Sequence, residues 1–190
     1  YTFFKSQEVK HTENVDVDGN FDVGEWIYQD KDRNKIVSPG DIRLTSVTIG
    51  GTTYPAGSVV QGGDLDVGKA LVLFKANERH AETVNVNNKY DVGEGVYDDT
   101  NGNGIVNPGD IRLTSVTKGT TTYPAGSVVQ PGDLDVGDKL IRFSDLENAL
   151  DAVKYAPSRP EMITAAKEIQ EKLWGSTYYW DPLGGGMPSI

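Results

Sequence analysis

The chain contains one ten-residue sequence twice, as Pro39-Gly-Asp-Ile-Arg-Leu-Thr-Ser-Val-Thr48 and again as Pro108-Gly-Asp-Ile-Arg-Leu-Thr-Ser-Val-Thr117. The offset of 69 residues continues outward from these copies without a gap, and residues 11–74 match residues 80–143 at 42 of 64 positions. Self-similarity at one fixed spacing is typical of repeated structural units. The sequence therefore predicts two tandem homologous modules with the same local structure.

Within each module the residue types favour antiparallel β structure. Residues 42–48 are rich in β-branched side chains, and residues 71–74 form a short apolar segment. Residues 52–60 contain Pro55, which confines a strand to the edge of a sheet or to a bulge. We therefore expect a mainly β fold in which each module is a small antiparallel sandwich or barrel.

Helical signals replace the β signals after residue 143. Ser144 and Glu147 have the spacing of a helix capping box, and Ser158 is a candidate N-cap for a second helix. Apolar residues then recur at helical spacing up to Leu173, and Gly175 is a typical stop signal. These signals predict a C-terminal α-helical hairpin.

The chain thus divides into five parts. In order they are an N-terminal extended tail (1–10), module 1 (11–76), module 2 (77–143), the helical hairpin (144–175) and a C-terminal tail rich in aromatic residues and glycine (176–190). Aromatic residues are rare in disordered tails, so we expect residues 1–4 or 177–180 to dock on a neighbouring copy of the chain. The alternative is that both tails fold back onto their own chain.

The chain is acidic, since 28 Asp and Glu residues against 18 Lys and Arg residues give a formal net charge of −10. This balance argues against nucleic acid and anionic membranes as partners, because both bind basic surfaces. No apolar run approaches the roughly 18 residues that a membrane-spanning helix needs. Cysteine is absent, which excludes disulfides, thiol catalysis and zinc–thiolate sites.

Each module contains a twelve-residue loop with oxygen-bearing side chains at positions 1, 3, 5, 9 and 12, at residues 30–41 (loop 1) and 99–110 (loop 2). This spacing lets a tight turn direct the side chains inward, and the carbonyl at position 7 adds a main-chain oxygen. Ca²⁺ takes about six to eight oxygen ligands. Val37 and Val106 at position 8 are expected to anchor the loops to a core. The candidate ligands are Asp30, Asp32, Asn34, Ile36 and Asp41 in loop 1, and Asp99, Asn101, Asn103, Ile105 and Asp110 in loop 2.

Loops 1 and 2 resemble the calcium loops of EF-hand proteins, in particular those of dockerin modules, which also end in Asp. The resemblance implies Ca²⁺ as the cofactor and a positive φ at position 6, where Gly104 is suited and Lys35 is strained by about 1–2 kcal/mol. Both loops run into a β-strand pattern, whereas a dockerin loop runs into a helix, so the helix–loop–helix unit is absent. The alternative is a metal-free turn rich in Asp and Asn.

Two further sets of carboxylates are candidates for a cation. Asp64 and Asp66 would lie on one face of a strand, where they could bind a cation or complete a loop site, or simply be solvated at a strand end. Module 2 repeats this pair as Asp133 and Asp135. The second set consists of Asp16, Asp18, Asp22 and Glu25. Module 2 has asparagine at the first two of these positions, which argues against a shared role.

Signals for catalysis are weak. His11 and His80 occupy equivalent positions of the repeat, so neither is a unique general base. The sequence has no nucleophile elbow and no phosphate-binding glycine loop. We therefore expect a protein that is not an enzyme.

These features together predict an extracellular calcium-binding structural protein, the subunit of a self-assembling filament, tubule or surface lattice, whose partners are copies of itself. Duplicated β modules rich in Asp and Gly, with calcium loops, have a general likeness to secreted microbial surface proteins, including filament proteins of thermophiles. A chain that opens on Tyr1 without Met is also typical of a processed one. The alternative is a calcium-dependent adhesion or dockerin-like protein-binding module. The two differ in valency, because a polymer subunit needs two complementary surfaces and a connector needs one.

Overall fold

The structure is a computed structural model that describes residues 8–143 and 158–174. This described part is mainly β, which confirms the predicted fold class at that level. The strands of the first half are β1 (Val9–Thr12), β2 (Ile27–Gln29), β3 (Ile42–Arg43), β4 (Val47–Ile49), β5 (Thr52–Tyr54) and β6 (Leu71–Leu73). Those of the second half are β7 (Glu78–Ala81), β8 (Val96–Asp98), β9 (Ile111–Arg112), β10 (Val116–Lys118), β11 (Thr121–Tyr123) and β12 (Leu140–Arg142). The described helix is α1 (Arg159–Trp174).

The paired strands of the described residues are antiparallel and form two four-stranded sheets and two hairpins. The first sheet has the strand order β3-β2-β1-β6 and the second has the order β12-β7-β8-β9, while the hairpins are β4–β5 and β10–β11. The strand pairings of the first half recur 69 residues later: His11 faces Ile27, and His80 faces Val96. β1 begins at Val9, two residues before the predicted start of module 1.

The strand predicted after loop 1 is divided into β3 and β4. The amide of Leu44 still donates to the carbonyl of Ile27 (2.8 Å), but the amide of Ile27 donates to Oγ1 of Thr45 (3.0 Å). A side-chain hydroxyl therefore takes the place of a main-chain carbonyl, and the chain leaves the first sheet to form the β4–β5 hairpin. Thr114 makes the same bond with the amide of Val96 (2.9 Å) in the second half.

Each half has its own apolar cluster, and a third cluster joins the two halves. The clusters are Tyr28, Val37, Val47, Val60 and Leu71 in the first half, Ala81, Tyr97, Val106, Val116, Val129 and Leu140 in the second, and Phe21, Ile27, Leu44, Phe74, Tyr90 and Val96 between them. The rings of Phe74 and Phe143 stack with their centroids 3.8 Å apart. These two residues occupy equivalent positions of the repeat, so each half contributes the same side chain to the contact. The two halves together form one compact unit.

The helix α1 begins directly after Ser158, the predicted N-cap. The Ser158 hydroxyl donates to Oε2 of Glu161 (3.1 Å) and accepts a hydrogen bond from the Glu161 amide (3.4 Å), which satisfies one amide at the helix start. This helix belongs to a compact unit separate from the two halves. The other predicted helix, at residues 144–157, and the tail segments 1–4 and 177–180 lie outside the described residues. Within the described part of the chain, no helix has the length and apolar character needed to cross a membrane.

Candidate metal centres

Loop 1 connects β2 to β3 and brings three carboxylates together. Asp30 and Asp41, at its two ends, are buried, whereas Asp32 is exposed. One oxygen of each carboxylate lies within 4.8 Å of the other two. Val37 is fully buried in the first apolar cluster, which confirms the predicted anchor of this loop. Three of the ligands predicted from the sequence thus meet at one point.

Asp30 is held by a side-chain cation and by amides of the loop. Its Oδ2 accepts hydrogen bonds from Nζ of Lys10 (2.8 Å) and from the amide of Lys35 (3.0 Å), and its Oδ1 accepts one from the amide of Asn34 (3.2 Å). Burial by itself raises the pKa of Asp30, but the hydrogen bonds from Lys10 and Lys35 hold this pKa below its ordinary value. Asp30 is therefore ionised at neutral pH, the form in which a carboxylate binds a metal.

Asp41 closes loop 1, while Asp32 and Asn34 shape its middle. The Oδ2 of Asp41 accepts a hydrogen bond from the amide of Ser38 (2.8 Å). The Oδ1 of Asp32 accepts one from the amide of Asn34 (3.1 Å), whose own Oδ1 accepts one from the amide of Ile36 (2.8 Å). These bonds turn the side-chain oxygens towards the main chain of their own loop, as in Asx turns.

Loop 2 connects β8 to β9 and repeats this framework with fewer charges. Asp99 is buried, and its Oδ2 accepts a hydrogen bond from the amide of Gly104 (2.9 Å) and lies 3.2 Å from Nη1 of Arg79. Arg79 stands where the first half has a lysine. Asn101 takes the place of the exposed carboxylate of loop 1, and its Oδ1 accepts a hydrogen bond from the amide of Asn103 (3.0 Å). The valine at position 8 is fully buried here too.

The Asn107 side chain marks the point at which the ligands of loop 2 converge. In the orientation that satisfies its neighbours, the amide nitrogen lies 2.9 Å from the Ile105 carbonyl oxygen, 3.1 Å from Oδ1 of Asn103 and 3.2 Å from Oδ2 of Asp110. Its amide oxygen then accepts a hydrogen bond from Nδ2 of Asn101 (2.8 Å). Oxygens at loop positions 5, 7 and 12 therefore surround the side chain at position 9, while position 3 presents its amide nitrogen to it.

Position 6 of both loops adopts the left-handed backbone conformation that the resemblance implies. Lys35 has a φ of 68° and Gly104 a φ of 79°. The strain predicted at Lys35 is therefore present in loop 1, whereas glycine adopts this conformation without a steric clash in loop 2. Position 4 shows the same contrast, with Arg33 at 58° and Gly102 at 69°. Loop 1 thus combines more negative charge with more backbone strain.

Replacing Lys35 by glycine should raise the free energy of unfolding by about 1 kcal/mol, because glycine has no Cβ to clash in the left-handed conformation. Lys35→Ala is the matched control, since it removes the same charge but keeps the Cβ. Urea unfolding of both variants at one calcium concentration measures the difference. Equal stabilisation by Lys35→Ala would show that charge, and not backbone strain, is responsible.

The ligand atoms of both loops suit a hard cation. Three carboxylates lie together in loop 1, and oxygens of Asn103, Ile105 and Asp110 surround one side chain in loop 2. Neither loop contains a histidine or a cysteine. Oxygen ligands of this kind are those that Ca²⁺ prefers in proteins, whereas nitrogen and sulfur ligands favour transition metals. The segments that follow the loops are the strands β3 and β9, as predicted, and not helices. The residues present therefore fit the cation that the resemblance implies.

Asp64 and Asp66 face a side-chain cation, Arg43. Nη2 of Arg43 donates to Oδ2 of Asp64 (2.8 Å) and to Oδ1 of Asp66 (2.7 Å), and Nε donates to Oδ2 of Asp66 (2.8 Å). Both aspartates lie in a turn rather than on a strand. The interpretation of Asp64 and Asp66 as ligands of a metal cation is therefore wrong, because the Arg43 guanidinium occupies the space between the two carboxylates. The second half repeats the network with Arg112, Asp133 and Asp135.

Two clusters that the sequence interpretation missed lie beside β1 and β7. They are the His11 cluster (His11, Glu13 and Glu25) and the His80 cluster (His80, Glu82 and Glu94). The ligand atoms in each cluster lie within 4.8 Å of one another. The signal that could have identified them is a His-x-Glu sequence followed by glutamate twelve residues later, which occurs once in each half.

The four acidic residues predicted as a second cation site, Asp16, Asp18, Asp22 and Glu25, do not form one cluster. Asp16, Asp18 and Asp22 bring their oxygens within 4.8 Å of one another in the loop between β1 and β2, and the first two are exposed. Burial, followed by the charges of Asp18 and Asp16, raises the pKa of Asp22. Glu25 belongs instead to the His11 cluster, where burial raises its pKa.

Comparison with known proteins adds no functional assignment, because no family model, no curated protein and no solved structure matches the chain.

Proposed function

We propose that the protein is an extracellular calcium-binding structural protein with two tandem homologous β modules, residues 11–76 and 77–143, each carrying one calcium loop. The observation that carries this proposal is a buried carboxylate at each end of loops 1 and 2, with further oxygen ligands between them. Burying an ionised carboxylate costs free energy unless cations or hydrogen bonds compensate. The arrangement is retained although only five of the ten residues between the loop ends are identical.

Calcium suits an extracellular setting and an acidic chain. Extracellular modules bind Ca²⁺ with dissociation constants of about 10⁻⁴–10⁻³ M, so the roughly millimolar calcium outside cells would fill such sites. Two bound Ca²⁺ ions would add +4 to the formal net charge of −10 and leave −6. The lower charge would reduce repulsion between copies of the chain and favour their assembly.

Exposed apolar side chains at repeated positions support assembly into a filament, tubule or surface lattice. Val17 and Val86 are 84% and 82% exposed, and Leu65 and Leu134 are also largely exposed. Exposed apolar surface is typical of sites that bind another protein. Further pairs with substantial exposure are Val15 and Val84, Val23 and Val92, Ile36 and Ile105, Val59 and Val128, and Val67 and Val136.

The sheets also have outer strands with which an extended segment could pair. The outer strands are β3 and β6 in the first sheet and β9 and β12 in the second. The outer edges of β3 and β9 already form main-chain hydrogen bonds with residues 57–60 and 126–129, which leaves parts of β6 and β12 for such pairing. An outer strand with unpaired main-chain groups accepts an extended chain by β-strand addition. In our proposal a terminal tail, residues 1–4 or 177–180, pairs with such a strand on a neighbouring copy. A head-to-tail contact of this kind builds an open polymer unless it closes into a ring.

Deleting the tail that docks, tested as residues 1–6 and separately as residues 176–190, should abolish polymerisation in one of the two truncated chains. Residue 8 is retained because the carbonyl of Glu8 accepts a hydrogen bond from the amide of Asp30 (2.7 Å), so a longer deletion would disturb loop 1. Electron microscopy of full-length and truncated chains, with calcium and with a chelator, measures assembly.

Polymerisation of both truncated chains at the level of the full chain would show that tail docking is wrong. A calcium-bound full-length monomer that forms no polymer would instead favour the alternative function, a calcium-dependent adhesion or dockerin-like protein-binding module. Because such a module needs one complementary surface and a polymer subunit needs two, the valency of self-association separates the two functions.

A further inference from the structure

The His11 cluster and the His80 cluster lie outside the calcium loops and have no part in the proposed function. Their six side chains are 0–8% exposed. Aromatic rings enclose the imidazoles, namely Phe21 and Phe74 around His11, and Tyr90 and Phe143 around His80. Each cluster therefore holds two carboxylates and one imidazole away from solvent.

The charges and hydrogen bonds of the His11 cluster do not balance. Nδ1 of His11 carries at most one proton. Three acceptors surround it: the Thr12 carbonyl oxygen at 3.0 Å, Oε2 of Glu25 at 3.2 Å and Oε1 of Glu13 at 3.7 Å. Oε1 of Glu13 is buried and has no hydrogen-bond partner. Even with a protonated imidazole, two ionised glutamates leave one net negative charge buried, which is unfavourable without a further cation.

The His80 cluster has the same imbalance at the equivalent atom. Oε1 of Glu82 lies 3.4 Å from Nδ1 of His80 and is again buried without a hydrogen-bond partner. It faces the imidazole while the other oxygen, Oε2, accepts a hydrogen bond from the amide of Asn87 (2.8 Å). Buried polar atoms are normally satisfied. The same unsatisfied oxygen in both halves therefore points to a ligand that completes the cluster.

The spacing of the ligand atoms suits a small divalent ion. Zinc lies about 2.0–2.2 Å from histidine nitrogen and carboxylate oxygen, so tetrahedral ligand atoms are about 3.3 Å apart. Nδ1 lies 3.2 and 3.7 Å from the glutamate oxygens in the His11 cluster, and 3.2 and 3.4 Å in the His80 cluster. We propose that each cluster binds one divalent transition-metal ion of the Zn²⁺ type through the histidine Nδ1 and the two glutamate oxygens.

The ligand set separates this ion from calcium. Imidazole nitrogen favours transition metals, and Ca²⁺ favours sites built from oxygen alone. The acidic group Asp16, Asp18 and Asp22 cannot explain the clusters, because the second half has asparagine at the first two positions and still forms the His80 cluster. The inference is therefore independent of the calcium proposal.

Bonds around each cluster fix the ligands in the required direction. Oε2 of Glu13 accepts a hydrogen bond from the amide of Gly19 (2.9 Å), and Oε2 of Glu25 accepts one from the amide of Asp22 (3.0 Å). Hydrogen bonds of this second layer orient metal ligands. With Nδ1 on the metal, the imidazole proton resides on Nε2, which is buried beside aromatic rings and has no hydrogen-bond partner in either cluster. Three protein ligands leave a fourth position for water.

A cobalt titration of the full-length chain tests the inference. Co²⁺ is the probe because its visible absorption reports coordination directly, and excess Ca²⁺ keeps loops 1 and 2 supplied with their own ion. We expect two Co²⁺ ions per chain, both displaced by Zn²⁺, which binds such ligands more tightly. A chain that gives no coordination spectrum with cobalt would overturn the inference without the need for any variant.

Matched glutamine variants identify the ligands. Glu13→Gln and Glu82→Gln should each reduce the stoichiometry to one Co²⁺, and the double variant should bind none. Both changes keep the side-chain shape and remove a buried charge, and circular dichroism with urea unfolding verifies that the variants are folded. Glu168→Gln, at an exposed position of α1, is the control and should still bind two.

Unchanged cobalt binding by the folded double variant would overturn the assignment of these glutamates. Calorimetric titration with calcium tests the proposed function separately from the transition-metal sites. A chain that binds cobalt as expected but no calcium would contradict the calcium proposal and leave the two transition-metal sites in place.

Discussion

Replacing Arg43 by methionine is expected to lower the free energy of unfolding by about 3–5 kcal/mol, the cost of leaving a buried carboxylate without its cation. Arg43 is 1% exposed, and Asp66 is fully buried. Two hydrogen bonds of 2.7 and 2.8 Å join the two side chains, and the Tyr28 hydroxyl donates a third to Asp66 (2.7 Å). The guanidinium also lies 4.0 Å from the centroid of the Tyr54 ring. This network ties β3 to the turn that contains Asp66.

Two variants separate the charge pair from a simple loss of packing. Arg43→Lys keeps the charge but cannot form two parallel hydrogen bonds, so its stability should lie between those of wild type and Arg43→Met. Asp64→Asn changes the less buried carboxylate and should cost less than the loss of the arginine. Urea unfolding at one calcium concentration measures all of them, with Arg112→Met as the equivalent change in the second half. An Arg43→Lys variant as stable as wild type would contradict the role given to the paired hydrogen bonds.

The pH dependence of the free energy of unfolding provides a second test of the network of Arg43, Asp66 and Tyr28. Burial by itself raises the pKa of Asp66, but the hydrogen bonds from Arg43 and Tyr28 bring this pKa below its ordinary value. A pKa lowered by folding stabilises the protein above the unfolded-state value of about 3.9, and the contribution is lost as the pH falls further. The difference in stability between wild type and Arg43→Met should therefore narrow below about pH 4.

The sequence predicted correctly those features that depend on residues close to one another in the chain. The start of α1 depends on Ser158, which bonds a residue three positions away. The positive φ at Lys35 follows from its position within one turn. By contrast, the division of the predicted strand into β3 and β4 depends on the Thr45 hydroxyl, which binds the amide of Ile27, 18 residues earlier. β propensity contains no information on such a bond.

The candidate sites differ in the same way. The ligands of loops 1 and 2 lie within twelve residues, so their spacing alone predicts that they converge. The partner of Asp66 lies 23 residues away in sequence, and spacing between neighbouring carboxylates suggested a metal where the fold places an arginine. The His11 cluster joins residues 14 positions apart across the pairing of β1 with β2. The tertiary fold creates both contacts, because Asp66 lies in a turn that packs against β3 and Glu25 lies in the loop before β2.

Chelating calcium is expected to lower the melting temperature by about 10 °C for each filled loop. An ion bound only to the folded state stabilises it by about 2.7 kcal/mol when its concentration is a hundredfold above the dissociation constant, which for a constant of about 10⁻⁴ M requires about 10 mM calcium. For a domain of this size, each kcal/mol shifts Tm by about 3–5 °C. Differential scanning calorimetry with calcium and with a chelator measures the shift.

The choice of variant decides whether this experiment reports on calcium. Asp30→Ala would leave the buried ammonium of Lys10 without its partner and destabilise the chain with or without the ion. Asp32→Ala and Asn101→Ala remove exposed candidate ligands instead, and each should abolish about half of the calcium-dependent shift in Tm while the melting temperature in chelator changes little. A shift that survives in the double variant would place calcium elsewhere in the chain. Calorimetric titration without calcium binding at millimolar concentration would contradict the proposed function itself, because such sites must fill at the calcium level found outside cells.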